Sequence, residues 1–177
     1  MKNLLHKISS VTESIEKFVV IFSILLMMAN STANAIGRYV FSKSLFFSEE
    51  LNQFLIVAIT FIGFAYAVRK ARNIRMTAVY DSLGYTAKKV LSTVISITTG
   101  VLMLYLAYKA VFYVMELKDI NRLSPALQFP VYIIYSIIPV GLAMAAVQYL
   151  ITFFMNVTHK EIYLSYEVID NHIEESL

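Results

Sequence analysis

The side chains best suited to chemistry stand apart from the apolar stretches of this sequence. His6, His159 and His172 all lie in polar segments, where none can ligate a haem inside a membrane span. No HExxH pair, GxSxG elbow or phosphate-cradling glycine loop occurs, and no two carboxylates share an apolar stretch. The absence of cysteine removes disulfides, thiolate metal sites and cysteine nucleophiles. The expectation is a protein that is no enzyme and holds no cofactor or metal. Two features remain. Lys109 is the single charged residue inside an apolar stretch, and Ser23, Asn30, Asn34 and Arg38 are spaced to share one face of a helix.

The elements that would position these residues follow from composition. Of the 177 residues 58% are hydrophobic and only 15% charged, and mean hydropathy is +0.66. So few charges could not cover a water-soluble domain of this length. The apolar residues gather at about 18–36, 51–68, 90–115 and 129–154, each near the roughly 20 residues with which an α-helix crosses hydrocarbon. The predicted fold is an all-α integral membrane protein with four transmembrane helices, and 1–177 forms one membrane domain. Ala33-Asn34-Ala35 has the form of a signal-peptidase site, but Glu13 and Glu16 in the amphipathic leading segment are unlike a short basic leader. The first span is expected to be retained.

The charge distribution orients the chain. Ten basic residues fall on the termini and the central loop against four on the other two loops, and positive loops stay in the cytoplasm. Both termini are therefore expected to be cytoplasmic. The same distribution argues that the net charge of +3 follows the membrane, and nucleic acid is excluded as a partner.

Two flanking segments are helical in period but too polar to span. Leu4, Ile8, Val11, Ile15 and Phe18 make one apolar stripe within 1–17, and Met76, Val79, Tyr80, Leu83 and Ala87 make another in the central loop. Both are expected to lie in the cytoplasmic interface, with Arg69, Arg72, Arg75, Lys88 and Lys89 as candidate contacts to membrane lipids. The other reading of the central segment is a solvated helix packed on a neighbouring subunit. Residues 155–177 are read as a cytoplasmic tail that frays at its end.

Within the spans, a central cation costs about 2.5–3.5 kcal/mol on insertion scales. Lys109 must snorkel to the nearer surface or pair with a carboxylate, Glu49 and Glu50 being the candidates. Asn30 and Asn34 are better satisfied against another helix than against lipid. Gly63, Ala67, Ser92, Ser96, Gly100 and Ala107 extend that close-packing pattern. Arg38 with Glu49 or Glu50 would form an ion pair across the first hairpin or face a partner. Pro130 suits a first helical turn, and Pro139 should kink the fourth span.

The order of these features resembles one family. Gly37-Arg38-Tyr39-Val40-Phe41, Phe47-Ser48-Glu49-Glu50-Leu51, Phe61-Ile62-Gly63-Phe64-Ala65-Tyr66-Ala67-Val68-Arg69 and Ser124-Pro125-Ala126-Leu127, followed by Pro130, Tyr135, Pro139 and Gly141, are similar to the DctQ-type small membrane subunit of tripartite ATP-independent periplasmic (TRAP) transporters. The resemblance covers about residues 15–155. The sequence departs from the pattern at Asn73-Ile74-Arg75-Met76-Thr77, where a His-Ile-x-Val-Asp run is common, so no role of that His or Asp carries over. The resemblance implies a scaffold in the bacterial inner membrane beside a large DctM-type permease subunit. That subunit would carry the substrate and sodium sites and move elevator-fashion, with a periplasmic substrate-binding protein delivering an organic acid, sialic acid being the slight preference. The rival reading is a self-sufficient small oligomeric transporter or channel, which needs an intramembrane carboxylate or a polar pore face.

Lys109→Met separates the two readings of that lysine. Snorkelling predicts unchanged insertion and unchanged co-purification of a membrane partner, whereas an ion pair predicts normal insertion with the partner lost.

Overall fold

The computed structural model describes residues 2–72, 80, 82–165 and 167–170, with side chains from residue 11 onward. The described residues form helices α1 (Lys2–Phe41), α2 (Ser48–Arg69), α3 (Tyr85–Asp119), α4 (Val131–Tyr135) and α5 (Ile137–Thr158). Isolated bridges, Leu123 with Pro130 and Tyr163 with Ile169, are the β-structure among them. Four stretches, Val11–Phe41, Ser48–Arg69, Tyr85–Asp119 and Val131–Thr158, are long and apolar enough to cross a membrane. Only 11–33% of their most apolar windows is buried, so most of their apolar surface awaits lipid or another protein. The chain is an all-α, multi-pass membrane protein.

The amphipathic N-terminal segment does not break from the first span. Both run as the single 40-residue helix α1, about 60 Å long at 1.5 Å per residue. No proline or glycine stands before Gly37 to interrupt it. Met76 and Val79 of the central-loop stripe lie outside the described residues, whereas Tyr80 and Leu83 are described and Ala87, Lys88 and Lys89 belong to the start of α3.

The described residues group into two compact units, Met1–Phe64 with Tyr108–Gly141, and Ala65–Ala107 with Leu142–Leu177. In the first, α1 ends where Ser42 turns left-handed (φ 51°) and the Lys43 N–H donates to the Gly37 carbonyl at 3.1 Å. A Cβ on Gly37 would stand 2.9 Å from the Lys43 carbonyl oxygen, which explains the glycine there. α3 closes with a Schellman pair: Arg122 N–H donates to Leu117 O and Asn121 N–H to Lys118 O, with Asn121 left-handed. Pro130 caps α4 from just outside it rather than from its first turn. The helix then breaks at Ser136, one turn before Pro139, which cannot donate to Tyr135 and whose ring crowds that carbonyl. The Ser136 hydroxyl donates to Ile133 O at 2.6 Å.

In the second unit α2 ends in the same cap, Arg72 N–H to Ala67 O and Ala71 N–H to Val68 O, with Ala71 left-handed at φ 52°. The small residues Ala65, Ala145 and Ala146 are fully buried, and Gly100 brings α3 onto α5, where its absent Cβ would meet Leu150 at 3.2 Å. Close approach of helix backbones is what small residues permit in a membrane protein.

Gly141 shows the closest approach in the first unit, since a Cβ there would lie 2.5 Å from the Phe61 carbonyl oxygen. Backbone cannot yield as a flexible side chain can. Gly141→Ala should lower stability by about 1–3 kcal/mol through overpacking, read as a reduced Tm in detergent. An unchanged Tm would contradict this contact.

Candidate functional site

Several of the first unit's polar side chains hold connections. On α1, Asn30 donates its Nδ2 to the Ser48 carbonyl at 2.9 Å and to Asn52 Oδ1 at 2.8 Å, and Asn52 passes a hydrogen bond to Ser31 Oγ. One turn on, Asn34 Oδ1 accepts from the Leu45 N–H at 2.8 Å and from the Ser44 hydroxyl. Both carboxamides are thus used within the chain, fixing the start of α2 against α1. Arg38 engages its neighbour Tyr39, with a hydrogen bond to the hydroxyl at 3.2 Å and the guanidinium 5.1 Å from the ring centre. Arg38 therefore departs from the expected ion pair with Glu49 or Glu50. Glu49 is exposed.

Glu50 serves the loop between α3 and α4. Its Oε1 accepts from the Ala126 N–H at 2.8 Å, and its Oε2 accepts from the Leu127 N–H at 3.0 Å and from the Ser124 hydroxyl. Three donors on one carboxylate hold the loop in charge-assisted bonds, stronger than neutral ones. The loop is closed on itself by Ser124 N–H to Phe129 O and Val131 N–H to Arg122 O, at 2.9 and 3.0 Å. Beside the carboxylate opens a small cavity of about 90 Å³, lined among others by Gln53, Tyr113, Arg122 and Tyr135. Lys109, on α3, is exposed, and Glu50 is bonded to the loop rather than to it.

In the second unit, the segment after α5 folds back as a clasp. Asn156, 1% exposed, donates Nδ2 to Tyr163 O at 2.9 Å and accepts from Tyr163 N–H at 2.8 Å. This pair of bonds reproduces one rung of a β ladder. Ile162, Ser165 and Asp170 are buried. Glu167 draws in the end of α2, with Lys70 at 3.0 Å and Arg69 at 3.7 Å. Tyr80 donates to Asp170 Oδ2 at 3.0 Å and lies 3.3 Å from Ser92 Oγ. Lys88 sits over the Tyr80 ring at 5.4 Å. Lys89 donates to the carbonyls of His159 and Lys160 at 2.6 and 3.2 Å, a cation set at a helix C-terminus. Burial and the adjacent Glu161 carboxylate raise the Tyr163 hydroxyl above its ordinary pKa, keeping it the donor to Glu161.

Of the cations assigned to lipid, Arg69, Lys88 and Lys89 thus have protein partners, with Arg69 and Lys88 buried. Arg72 is exposed, and Arg75 lies outside the described residues. Sequence reasoning missed Ser124, Asn156, Tyr80, Glu167 and Asp170. The available signal was Asn156, a polar residue closing an apolar helix with a hydrophobic run, Ile162 to Leu164, just beyond it.

These features define a helical membrane protein in which many of the described polar groups hold its own parts together. Residues 27–159 match the DctQ component of tripartite ATP-independent periplasmic transporters. Over 172 residues the chain is 41% identical to the ectoine TRAP transporter small permease protein TeaB of Halomonas elongata, covering 97% of this chain and 89% of that protein. The chain belongs to the DctQ family. It is a small permease subunit of a TRAP transporter, and not an enzyme.

Asn156→Ala removes both bonds of the clasp and leaves two buried backbone groups unpaired, a cost of about 1–3 kcal/mol for each. The expected result is a lower Tm with faster protease cleavage between residues 159 and 170. Unaltered cleavage would argue against the clasp.

Proposed function

We propose that this subunit is the fixed scaffold for a large permease that moves substrate by an elevator motion, in sodium-coupled uptake across the bacterial inner membrane. Both termini and the clasp are cytoplasmic, and the loops at 42–47 and 120–130 face the periplasm, where a substrate-binding protein delivers its cargo. The observation that carries this reading is the absence of any acidic residue from the four apolar blocks. A sodium site needs several oxygen ligands; Asn30, Ser96 and Thr152 bond within the chain, and Gln148 Oε1, buried without a hydrogen-bond partner, is a single such oxygen. Coupling must then reside on another subunit. The basic termini and central loop support the orientation.

The substrate class is an organic carboxylate. The name of the Halomonas elongata relative favours ectoine or a similarly compact carboxylate over sialic acid, the slight preference drawn from family resemblance. Reconstitution of the large permease in vesicles, with and without this chain, in the presence of the binding protein and a sodium gradient, tests the scaffold role. Uptake of labelled ectoine is expected only with the chain present. Full uptake without it would overturn the reading, as would uptake by this chain alone.

A further inference from the structure

The cavity beside Glu50 has a chemical character that the loop's own bonding does not use. Glu50 is committed to the loop by bonds from Ser124, Ala126 and Leu127. Arg122 and Gln53 line the same space, are exposed, and make no side-chain hydrogen bond or ion pair among the described residues. The Arg122 backbone is nonetheless held on both sides, its N–H on Leu117 O and its carbonyl on Val131 N–H. A guanidinium on a rigid backbone, with no internal acceptor, presents a fork whose best complement is a carboxylate. Leu123, which also lines the cavity, and Ile120, Leu127 and Phe129 of the same connection are 38–63% exposed. An arginine amid exposed apolar groups is the composition of an interface hot spot.

We infer that Arg122 and Gln53 form a notch for one acidic side chain of the periplasmic substrate-binding protein. This rests on the orientation and subunit role proposed above. Size decides between a side chain and a free substrate. The cavity holds about 90 Å³, well below the roughly 150 Å³ that accommodates benzene, so it admits the tip of an Asp or Glu but no ring-bearing carboxylate. Location favours a soluble protein over a buried helix, because the notch is built by a loop beyond the end of α3 and is open to solvent. Glu50 contributes by fixing the loop; it keeps its negative charge but forms no ion pair with Arg122 among the described residues, which leaves the guanidinium fork open.

The test uses the small and large subunits co-purified in nanodiscs, with the binding protein titrated by interferometry. Arg122→Ala is expected to weaken binding about tenfold or more, Arg122→Glu further, and Arg122→Lys to recover only part, since an ammonium cannot make the fork. Tm and co-purification of the large subunit should not change. Charge reversal at one acidic residue of the binding protein should restore affinity to Arg122→Glu. Unchanged affinity in all three variants would overturn the proposal. A fall in Tm alone would assign Arg122 to capping α3, loss of the large subunit would assign it to that interface, and loss of co-purified phospholipid phosphate alone would assign it to a headgroup; each overturns the notch. If the wild-type chain fails to retain a large subunit at all, the scaffold reading itself falls, an outcome visible before any variant is made.

Discussion

A polar atom removed from water must find its partner inside the chain, and in a membrane protein this constraint acts on side chains as well as backbone. Asn30 and Asn156, both buried, answer it by bonding to backbone outside their own helix, and the partly exposed Asn34 and Glu50 bond in the same way. Asn30 takes a carbonyl at the start of α2, Glu50 takes two N–H groups of the α3–α4 loop, and Asn156 takes both groups of Tyr163. Each does two jobs: it satisfies itself, and it supplies what an irregular segment lacks. The connections are fixed by residues on the helices, so they need little sequence of their own.

That division explains what could be read from the chain. The four spans were legible because about 20 apolar residues in a row have few alternatives in water or lipid. The proline at 139 announced a break, and the structure places it at Ser136, where the missing N–H and the clash with Tyr135 act. α1 runs through the boundary drawn at residue 17, because amphipathicity reports which face meets water and does not report where a helix stops. Stopping needs a cap or a breaker, and none precedes Gly37.

The polar partners were less legible, for a reason of distance. Asn30 and Asn52 are 22 residues apart, whereas Glu50 and Ala126 are separated by 76 and Lys70 and Glu167 by 97. Local spacing can place Asn30 and Asn34 on one face. It carries no information about which remote loop a carboxylate will hold. The expectation that Arg38 pairs with Glu49 or Glu50 failed on this point: proximity in sequence suggested the pair, but the loop offers Glu50 two backbone N–H groups and a hydroxyl already held in place. Basic residues misled similarly. Arg69 and Lys89 read as part of a lipid-facing cluster until the acidic and carbonyl groups of the chain's last segment are placed against them, and Lys88 until the Tyr80 ring is placed beneath it.

The same constraint bears on what such a subunit can do. A transport site must change its bonding as cargo enters and leaves, so it keeps some polar groups unsatisfied or exchangeable. Here Asn30 and Asn156 are less than 8% exposed and hydrogen-bonded within the chain, and breaking either would strand backbone groups at about 1–3 kcal/mol each. Such bonds resist cycling. Apart from the single buried Gln148 Oε1, which has no hydrogen-bond partner, what remains available is the apolar helix surface, most of it unburied in every span, and lipid covers such surface as well as protein does. Partner choice therefore cannot come from apolar area alone. It must come from polar groups at the helix ends that are positioned but not consumed, which is the condition Arg122 meets and Glu50 does not.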